Sequence, residues 1–377
     1  MISFLGKAVR KKLKGTALLR LDFNAEDEWR MKAAIPTIRF LSECSDKIVI
    51  FSHRGRPNGF DQKLSLRKNA ADLAKLLGKK IIFLPMQANL PDFDFPALKK
   101  SIANSPRRSI FVLENLRFLD GERKSDRDLA KKLANLGDFY VNDSFAVDHR
   151  KDASLVAITE FLPSFAGLEL EKEMRFLSRA MLKPKKPLVI VLGGAKTREK
   201  LGVIKYFRNK ADYFLVGGVS ANALLSISGV DVKNSMISKD ENDIRNLRDV
   251  LGYKNLVLPV DFKFNKNEMI FDIGEKTAKI FSEKIKNART IIWSGPMGAF
   301  EKKGFSYGTL AVARAIAKNK KAFSVIGGGE TVTFLEKHGI GKNFSFISTG
   351  GGAMLEFLTG KKLPAIVALE KQTFGKR

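Results

Sequence analysis

The 377-residue chain has a single cysteine, Cys44, which excludes an internal disulfide framework. It has three histidines and neither CxxC nor HExxH, so a zinc cage is excluded too, and any metal must be held through oxygen. Long apolar runs are missing: stretches such as Leu188–Leu192 are strand-length, far below the ~20 residues that span a bilayer. The opening Met1–Lys7 is too short in apolar residues for a secretory signal, and its basic cluster follows the apolar part, so a cytoplasmic protein with no membrane contact is expected. GxGxxG is absent, which speaks against a nicotinamide fold. Gly-Lys pairs begin at Gly6, Gly78, Gly341, Gly360 and Gly375, but none has a glycine five positions earlier, which removes the Walker loop. Acidic residues are outnumbered: 67 Lys+Arg against 40 Asp+Glu leave a net charge of +27. Such an excess favours anionic partners, nucleic acid and phosphorylated small molecules among them, although the lysines are spread along the chain as on an ordinary solvated surface.

A hydrophobic share of 44% and a charged share of 28% are those of a globular chain, and its length exceeds what one core usually serves, so two domains are expected. Short β-rich runs alternate with helical periodicity. Strands are expected at Ala17–Leu21, Lys47–Phe51, Lys80–Leu84, Ser109–Leu113 and Phe139–Val141, and again at Leu188–Leu192, Tyr213–Val216, Asn255–Val257, Thr290–Trp293, Ala322–Ile326 and Phe344–Ile347. Helices are expected over Leu64–Leu77, Asp126–Leu136, Thr309–Lys318 and Gly352–Leu358. Strand-helix repetition with continuous apolar strands predicts an α/β chain of two doubly wound, Rossmann-like parallel-sheet domains of similar size. Leu170, Met174, Leu177 and Met181 form one stripe between Pro163 and Pro184, so a helix over residues 166–184 is expected to join a first domain, residues 1–165, to a second, residues 185–362.

Ligands of parallel α/β sheets bind beyond the carboxyl ends of the strands. In the first half those exits carry Asp22-Phe23-Asn24, then Ser52-His53-Arg54-Gly55-Arg56-Pro57, then Glu114-Asn115-Leu116-Arg117, then Asn142-Asp143-Ser144 followed by His149-Arg150. Arg30 opens a helical run that contains Pro36. Guanidinium forks converging from separate strands can hold a small polyanion bidentately, and Asp22 and Asn24 can position a hydroxyl. The bland alternative is local pairing, Arg117 with Glu114 or Glu122 and Arg150 with Asp148 or Asp152.

The second half offers Gly193-Gly194-Ala195-Lys196, a glycine turn opening a helix with Lys196 and Lys200 on one face. It also offers Gly327-Gly328-Gly329-Glu330-Thr331, Gly350-Gly351-Gly352 and the exit Trp293-Ser294-Gly295-Pro296, which leads to Glu301; Gly217-Gly218 is a less specific turn. Repeated glycine turns at strand-to-helix junctions let the backbone approach a phosphate, so a nucleotide cradle is expected. Glu301 can accept ribose hydroxyls, and Glu330 either holds a hard cation or complements a helix dipole.

In their order, the segments LDFN, PTI, SHRGRP, ENLRF, YVNDSF with HR, GGAK, WSGPMGAFE, GGGET and STGGGA closely resemble the phosphoglycerate kinase family, over about Leu19 to Leu369. The resemblance implies reversible phosphoryl transfer from 1,3-bisphosphoglycerate to ADP, giving 3-phosphoglycerate and ATP, with Mg2+ on the nucleotide. It implies a glycerate-binding first domain, a nucleotide-binding second domain, a narrowing cleft between them, and a C-terminal tail, residues 363–377, that returns to the first domain. A monomer is usual in that family. Matched residue by residue, Asp22, Phe23 and Asn24 fall at the glycerate hydroxyl and carboxyl end, and His53, Arg54, Gly55, Arg56, Arg117 and Arg150 at its 3-phosphate. Arg30 and Lys196 fall at the transferring group. Gly194, Lys200, Gly218, Gly328, Gly329 and Thr331 match nucleotide-phosphate contacts, Glu301 the ribose, and Glu330 the magnesium.

The chain departs from the family pattern at Ser294, where an asparagine is usual, at Glu330 and Glu199, where aspartates are common, and in a shortened stretch between Asn24 and Arg30. Two rival readings are a nucleic-acid-binding protein, motivated by the charge, and a catalytically silent relative, motivated by those departures. The absence of aromatic-basic interleaving weighs against the first. The intact set of site charges weighs against the second.

Overall fold

Leu188-Val189-Ile190-Val191-Leu192 contains no polar side chain, and in the computed structural model, which describes residues 2–6, 13–24, 28–86, 92–237 and 241–371, all five are buried in the middle of a parallel sheet. A strand with both faces covered needs this composition, because neither face meets water. The chain groups into two compact units, Met1–Glu173 with Lys362–Arg377, and Met174–Lys361.

In the first unit, β1 (Thr16–Arg20), β2 (Lys47–Phe51), β3 (Ile81–Leu84), β4 (Ile110–Leu113), β5 (Phe139–Asn142) and β6 (Ser164–Ala166) form one sheet in the order β3-β4-β2-β1-β5-β6, with every pairing parallel. Helices α1 (Trp29–Cys44), α2 (Arg67–Leu77), α3 (Phe95–Asn104) and α4 (Arg127–Ala134) connect these strands. Their starts follow local chemistry: Asp94 Oδ1 accepts from the Ala97 amide (2.9 Å) and Asp126 Oδ1 from the Leu129 amide (2.7 Å), capping α3 and α4. Helix α5 (Leu168–Leu182) contains the division between the units.

In the second unit, β7 (Leu188–Leu192), β8 (Tyr213–Val216), β9 (Leu256–Val257), β12 (Thr290–Ser294), β13 (Phe323–Gly327) and β14 (Phe346–Ile347) form a parallel sheet in the order β14-β13-β12-β7-β8-β9. A separate antiparallel ribbon pairs β10 (Phe262–Phe264) with β11 (Ile270–Ile273). The helices are α6 (Thr197–Phe207), α7 (Gly218–Ile227), α8 (Glu241–Leu251), α9 (Glu275–Lys286), α10 (Tyr307–Lys318), α11 (Gly329–Lys337) and α12 (Gly352–Leu358). Helix α13 (Pro364–Lys371) groups with the first unit, where the Ala365 amide donates to the Asp148 carbonyl (3.1 Å).

The expected strands are present to within two residues. Three were not expected: β6, a three-residue edge strand, and the ribbon strands β10 and β11. Helix α2 starts at Arg67 instead of Leu64, because Gln62–Leu64 is a 3-10 turn and the Leu66 amide is held by Glu114 Oε1 (2.8 Å). The shortened loop at residues 25–27 and tail residues 372–377 lie outside the described residues.

Strand order fixes where a ligand can sit. In each sheet the connections run outward in opposite directions from one adjacent pair, β1 and β5 in the first unit and β7 and β12 in the second. A crevice opens beyond the carboxyl ends at such a switch point.

Candidate active site

At the first switch point, β1 ends in Arg20, a guanidinium with no exposed surface. Its Nε donates to Ser154 Oγ (2.9 Å), Nη1 donates to the Leu21 carbonyl, Nη2 lies 3.1 Å from His53 Nδ1, and Glu122 Oε1 stands 3.8 Å away. Glu122 accepts from the Ser154 hydroxyl (2.5 Å) and amide (3.0 Å). Burial pushes its carboxyl up to about 7, against the opposing pull of Arg20.

Around this buried ion pair the strand exits are stitched together. Asp22 Oδ2 accepts from Arg30 Nη1 (2.8 Å) and Oδ1 from the Asn24 amide (2.9 Å); Asn24 Oδ1 accepts from the Gly55 amide (2.8 Å). The Phe23 amide donates to Ser52 Oγ (2.9 Å), and that hydroxyl donates to the Leu21 carbonyl (2.9 Å). Asn115 ties the next loop: Oδ1 accepts from the amides of Arg54 (3.2 Å) and Arg117 (3.1 Å), and Nδ2 donates to the carbonyls of Arg54 (2.8 Å) and Leu64 (3.0 Å). The loops after β1, β2 and β4 are thus held together by Asn24, Ser52 and Asn115, which pre-organises the cations they carry.

Arg117 is buried. Its Nη1 donates to the Gly55 carbonyl (2.6 Å), its Nη2 lies 3.6 Å from Asp152 Oδ2, and its Nε has no hydrogen-bond partner among the described residues. Burial draws Arg150 down; Asp152 and Asp22 oppose this, while Arg20 and Arg56 add to it. Burial, then the charges of Arg20, Arg150 and Arg30, hold His53 well below its ordinary value. Asp22, Asn24, Arg30, His53, Gly55, Arg117 and Arg150 are therefore gathered at one place, and Arg56 is exposed on the same loop as His53.

The local pairings considered for Arg117 do not form. Glu114 is taken by the Ser65 hydroxyl (2.7 Å) and the amides of Leu66 and Asn115 (both 2.8 Å), and Glu122 is taken by Arg20 and Ser154. Asp148 accepts instead from Asn142 Nδ2 (2.8 Å).

At the second switch point the turns pack backbone on backbone. The Gly193 amide donates to the Ser294 carbonyl (3.0 Å), the Gly194 amide to the Pro296 carbonyl (2.7 Å), and the Val219 amide to the Gly194 carbonyl (3.1 Å). Gly218, at φ +60°, leaves no room for a side chain, since a Cβ there would stand 2.5 Å from the Gly194 nitrogen.

Above these turns lies a cleft with about 850 Å³ of open space. Gly194, Gly218, Asp272, Glu301 and Glu330 contribute to its polar lining, and Val219, Met236, Phe262, Ile270, Phe271 and Met297 to its apolar lining. Lys200 is buried on α6, its Nζ 3.5 Å from the position a Gly194 Cβ would take, with Glu330 Oε2 3.6 Å from the same point. Burial pulls Lys200 down to about 8; Glu330 and Glu199 oppose this and Lys196 adds to it. Lys196 is exposed at the N-cap of α6. Gly328, at φ +94°, caps α11 and Gly329 opens it. Thr331 is buried with Oγ1 accepting from the Gly295 amide (3.0 Å), which braces the turn after β12.

Sequence reasoning missed Arg20, Glu122 and Ser154, whose signal was an arginine inside an otherwise apolar strand. It also missed the apolar wall from the β10–β11 ribbon, whose Asp272 accepts from the Gly308 amide (3.0 Å) and is pushed up to about 6 by burial; in the sequence Asp272-Ile273-Gly274 reads only as a less specific glycine exit.

Two anion-compatible strand-exit sites, one rich in guanidinium and one rich in glycine turns, are a specific combination. A phosphoglycerate kinase family model matches residues 11–361. The chain belongs to the phosphoglycerate kinase family. It is 38% identical to the phosphoglycerate kinase of Dictyoglomus turgidum, across 95% of this chain and 96% of that one. It is 40% identical to that of Pseudothermotoga lettingae, across 93% and 94%. The phosphoglycerate kinase structure from Pyrococcus horikoshii matches with a TM-score of 0.83 at 32% identity, covering 94% of this chain and 96% of that one. The one from Coxiella burnetii matches at 0.80 and 32%, covering 98% and 99%. The activity is accordingly that of a phosphotransferase with a carboxyl group as acceptor, in glycolysis, with a nucleotide substrate and a metal.

Among the described residues no group of three or more His, Cys, Asp and Glu side chains could hold a metal ion. Glu330, a single hard oxygen donor beside the glycine turn, suits a cation that arrives on nucleotide phosphates. Among the described residues no helix is long and apolar enough to cross a membrane.

Proposed function

We propose that the first unit binds 3-phosphoglycerate or 1,3-bisphosphoglycerate, that the second binds ADP or ATP with Mg2+, and that the chain moves the phosphoryl group reversibly between them. The observation that carries this reading is the guanidinium cluster built around Asp22 and His53, pre-organised by Ser52, Asn115 and the Arg20–Glu122 pair. Phosphoryl transfer asks a protein for positioning and for cations around the equatorial oxygens, with little covalent work.

In this reading His53, Arg56, Arg117 and Arg150 hold the 3-phosphate, with Arg54 and Gly55 shaping the loop that carries Arg56. Asp22, Phe23 and Asn24 orient the hydroxyl and carboxyl end. Arg30 and Lys196 take charge on the transferring group. Lys200, Gly194 and Gly218 face the nucleotide phosphates together with Gly328, Gly329 and Thr331, and Glu301 accepts from the ribose. Met236, Phe262, Phe271 and Met297 give the base an apolar slot. Glu330 holds the magnesium that comes with the nucleotide; when bound, that ion neutralises phosphate oxygens. The attacking oxygen already belongs to a phosphate or carboxylate in either direction, so no general base is required, and no histidine or cysteine needs to act as one. The protein works as a cytoplasmic monomer with no nucleic-acid partner.

The test is a coupled assay of the purified protein in both directions. ATP formation from 1,3-bisphosphoglycerate and ADP is expected. Absence of turnover with intact binding of both substrates would make the chain a silent relative.

A further inference from the structure

The opposite end of the second sheet carries a second cationic pocket. Arg179 comes from α5, Lys185 precedes β7, Arg289 precedes β12 and Lys321 precedes β13; all four line a recess with about 630 Å³ of open space, and no carboxylate lines it. Lys185, Arg289 and Lys321 stand at the amino-terminal ends of their strands, and Arg179 is in the last turn of α5. Arg289 is six positions before Gly295, so along an extended strand the recess is roughly 20 Å from the glycine turns.

Like charges crowded together repel, and a surface with no ligand to meet is expected to intersperse acids among them. Here the ion pair of the neighbouring Lys186 with Asp212 (3.6 Å) uses neither of the recess lysines. The arginine is held by an aromatic ring instead of by an acid. The guanidinium carbon of Arg179 lies 4.1 Å from the centroid of Phe323, and Phe176 stacks on Phe323 (5.8 Å, 24°) and on Phe346 (4.7 Å, 23°). A contact with a ring face uses none of the guanidinium N–H donors, which suits recognition of phosphate.

Lys321 also lines an adjoining groove, where Lys286, Arg314, Lys318 and Lys320 stand with one acid, Glu283. A track of cations longer than a single phosphate group fits an elongated anion better than a compact one. We infer that the recess of Arg179, Lys185, Arg289 and Lys321 is an anion site, separate from the candidate active site, that takes an inorganic phosphate chain of three or more units.

The probe is sodium tripolyphosphate, titrated calorimetrically into the full chain at low salt, with orthophosphate as comparison. The variant Lys185→Glu/Arg289→Glu/Lys321→Glu changes only exposed side chains. It is expected to lose one tripolyphosphate isotherm or to weaken it at least tenfold. Binding elsewhere on the chain is common to both proteins, so the difference reads this recess alone and is independent of the catalytic reading. A control with the same change in net charge, Lys254→Glu/Lys276→Glu/Lys279→Glu, alters exposed lysines that line neither groove, and is expected to stay within about threefold of wild type. Orthophosphate is expected to bind the recess at least tenfold more weakly than tripolyphosphate. Equal losses in the two triple variants would mean that only the overall field attracts the anion, and would overturn the site. Wild-type binding by the first variant, equal affinity for orthophosphate, or equally tight binding of a trinucleotide at the recess would overturn it as well. If the charge reversals disturb folding by circular dichroism, Lys185→Gln/Lys321→Gln against Lys254→Gln/Lys276→Gln carries the same comparison.

Discussion

Nη2 of Arg20 lies 3.1 Å from Nδ1 of His53. A guanidinium has only donors, so Nδ1 must accept, and the neutral ring carries its proton on Nε2. That atom is buried without a partner among the described residues. The arginine therefore sets the tautomer and leaves the histidine one unspent N–H, which in the proposed reading meets the 3-phosphate. His53→Ala is expected to raise KM for 3-phosphoglycerate on the order of 10-fold or more, as loss of a hydrogen bond to a charged group does, with KM for the nucleotide unchanged. Steady-state kinetics with each substrate varied separately decides it. Equal changes in both constants would leave the ring a structural partner of Arg20.

Arg30 is held by Asp22 at 2.8 Å and is part of the guanidinium cluster. Arg30→Ala is expected to lower kcat on the order of 10³-fold, as loss of an arginine that meets transition-state charge does. Near-normal turnover in the coupled assay would reduce Arg30 to a positioning partner of Asp22.

Lys200 titrates near 8 in the folded chain, against an ordinary lysine value of 10.5. Between those values the unfolded chain binds the extra proton, so stability from this residue rises as pH goes from about 8 to about 10.5. The full difference corresponds to about 3 kcal/mol. Chemical denaturation midpoints at pH 8 and pH 10 should rise more steeply in the wild type than in Lys200→Met, in which the titrating group is gone. Identical slopes would mean that the ammonium is not desolvated as its burial implies.

Glu330→Ala is expected to weaken Mg-nucleotide binding at least tenfold while leaving metal-free nucleotide binding nearly unchanged. Calorimetric titrations with and without magnesium separate the two cases. Equal affinities with metal would leave Glu330 an acid at the start of α11.

Gly218→Ala would place a Cβ 2.5 Å from the Gly194 nitrogen at a φ of +60°. The backbone of one turn must move. A stability loss of roughly 2 kcal/mol or more is expected, the left-handed strain adding to the displacement. Thermal unfolding should show a lower Tm, and nucleotide binding should weaken with it. A variant as stable as wild type would show that the two turns can separate freely.

Much of this architecture was legible in the residues because parallel strands buried on both faces carry their own signal: Leu188–Leu192 can be read as nothing else. The strand-exit motifs were legible for a related reason, since glycine and arginine at such junctions have few other uses. The ribbon of β10 and β11 escaped because Phe262–Phe264 and Ile270–Ile273 are short and partly exposed, with Lys263 inside the first, so no periodicity builds up. Arg20 escaped because its partners, Glu122 and Ser154, stand more than a hundred positions away, and only the fold brings an acid and a hydroxyl to the end of β1. The exits after β2 and β4 gave up their cations to inspection, but not the role of Asn115, whose four hydrogen bonds join two loops that no local pattern connects.

The ribbon that supplies Phe262, Ile270 and Phe271 to the cleft is a sheet of its own, tied to the chain after β12 by the Ala299 amide on the Phe271 carbonyl (2.7 Å) and the Gly308 amide on Asp272 (3.0 Å). In the proposed reading, the phosphate-facing turns and the base-facing wall therefore come from different strand sets. In that reading, exchanging the side chains of Phe262, Ile270 and Phe271 while keeping Asp272 offers a route to altered purine or pyrimidine preference that leaves Lys200 and the glycine junctions in place.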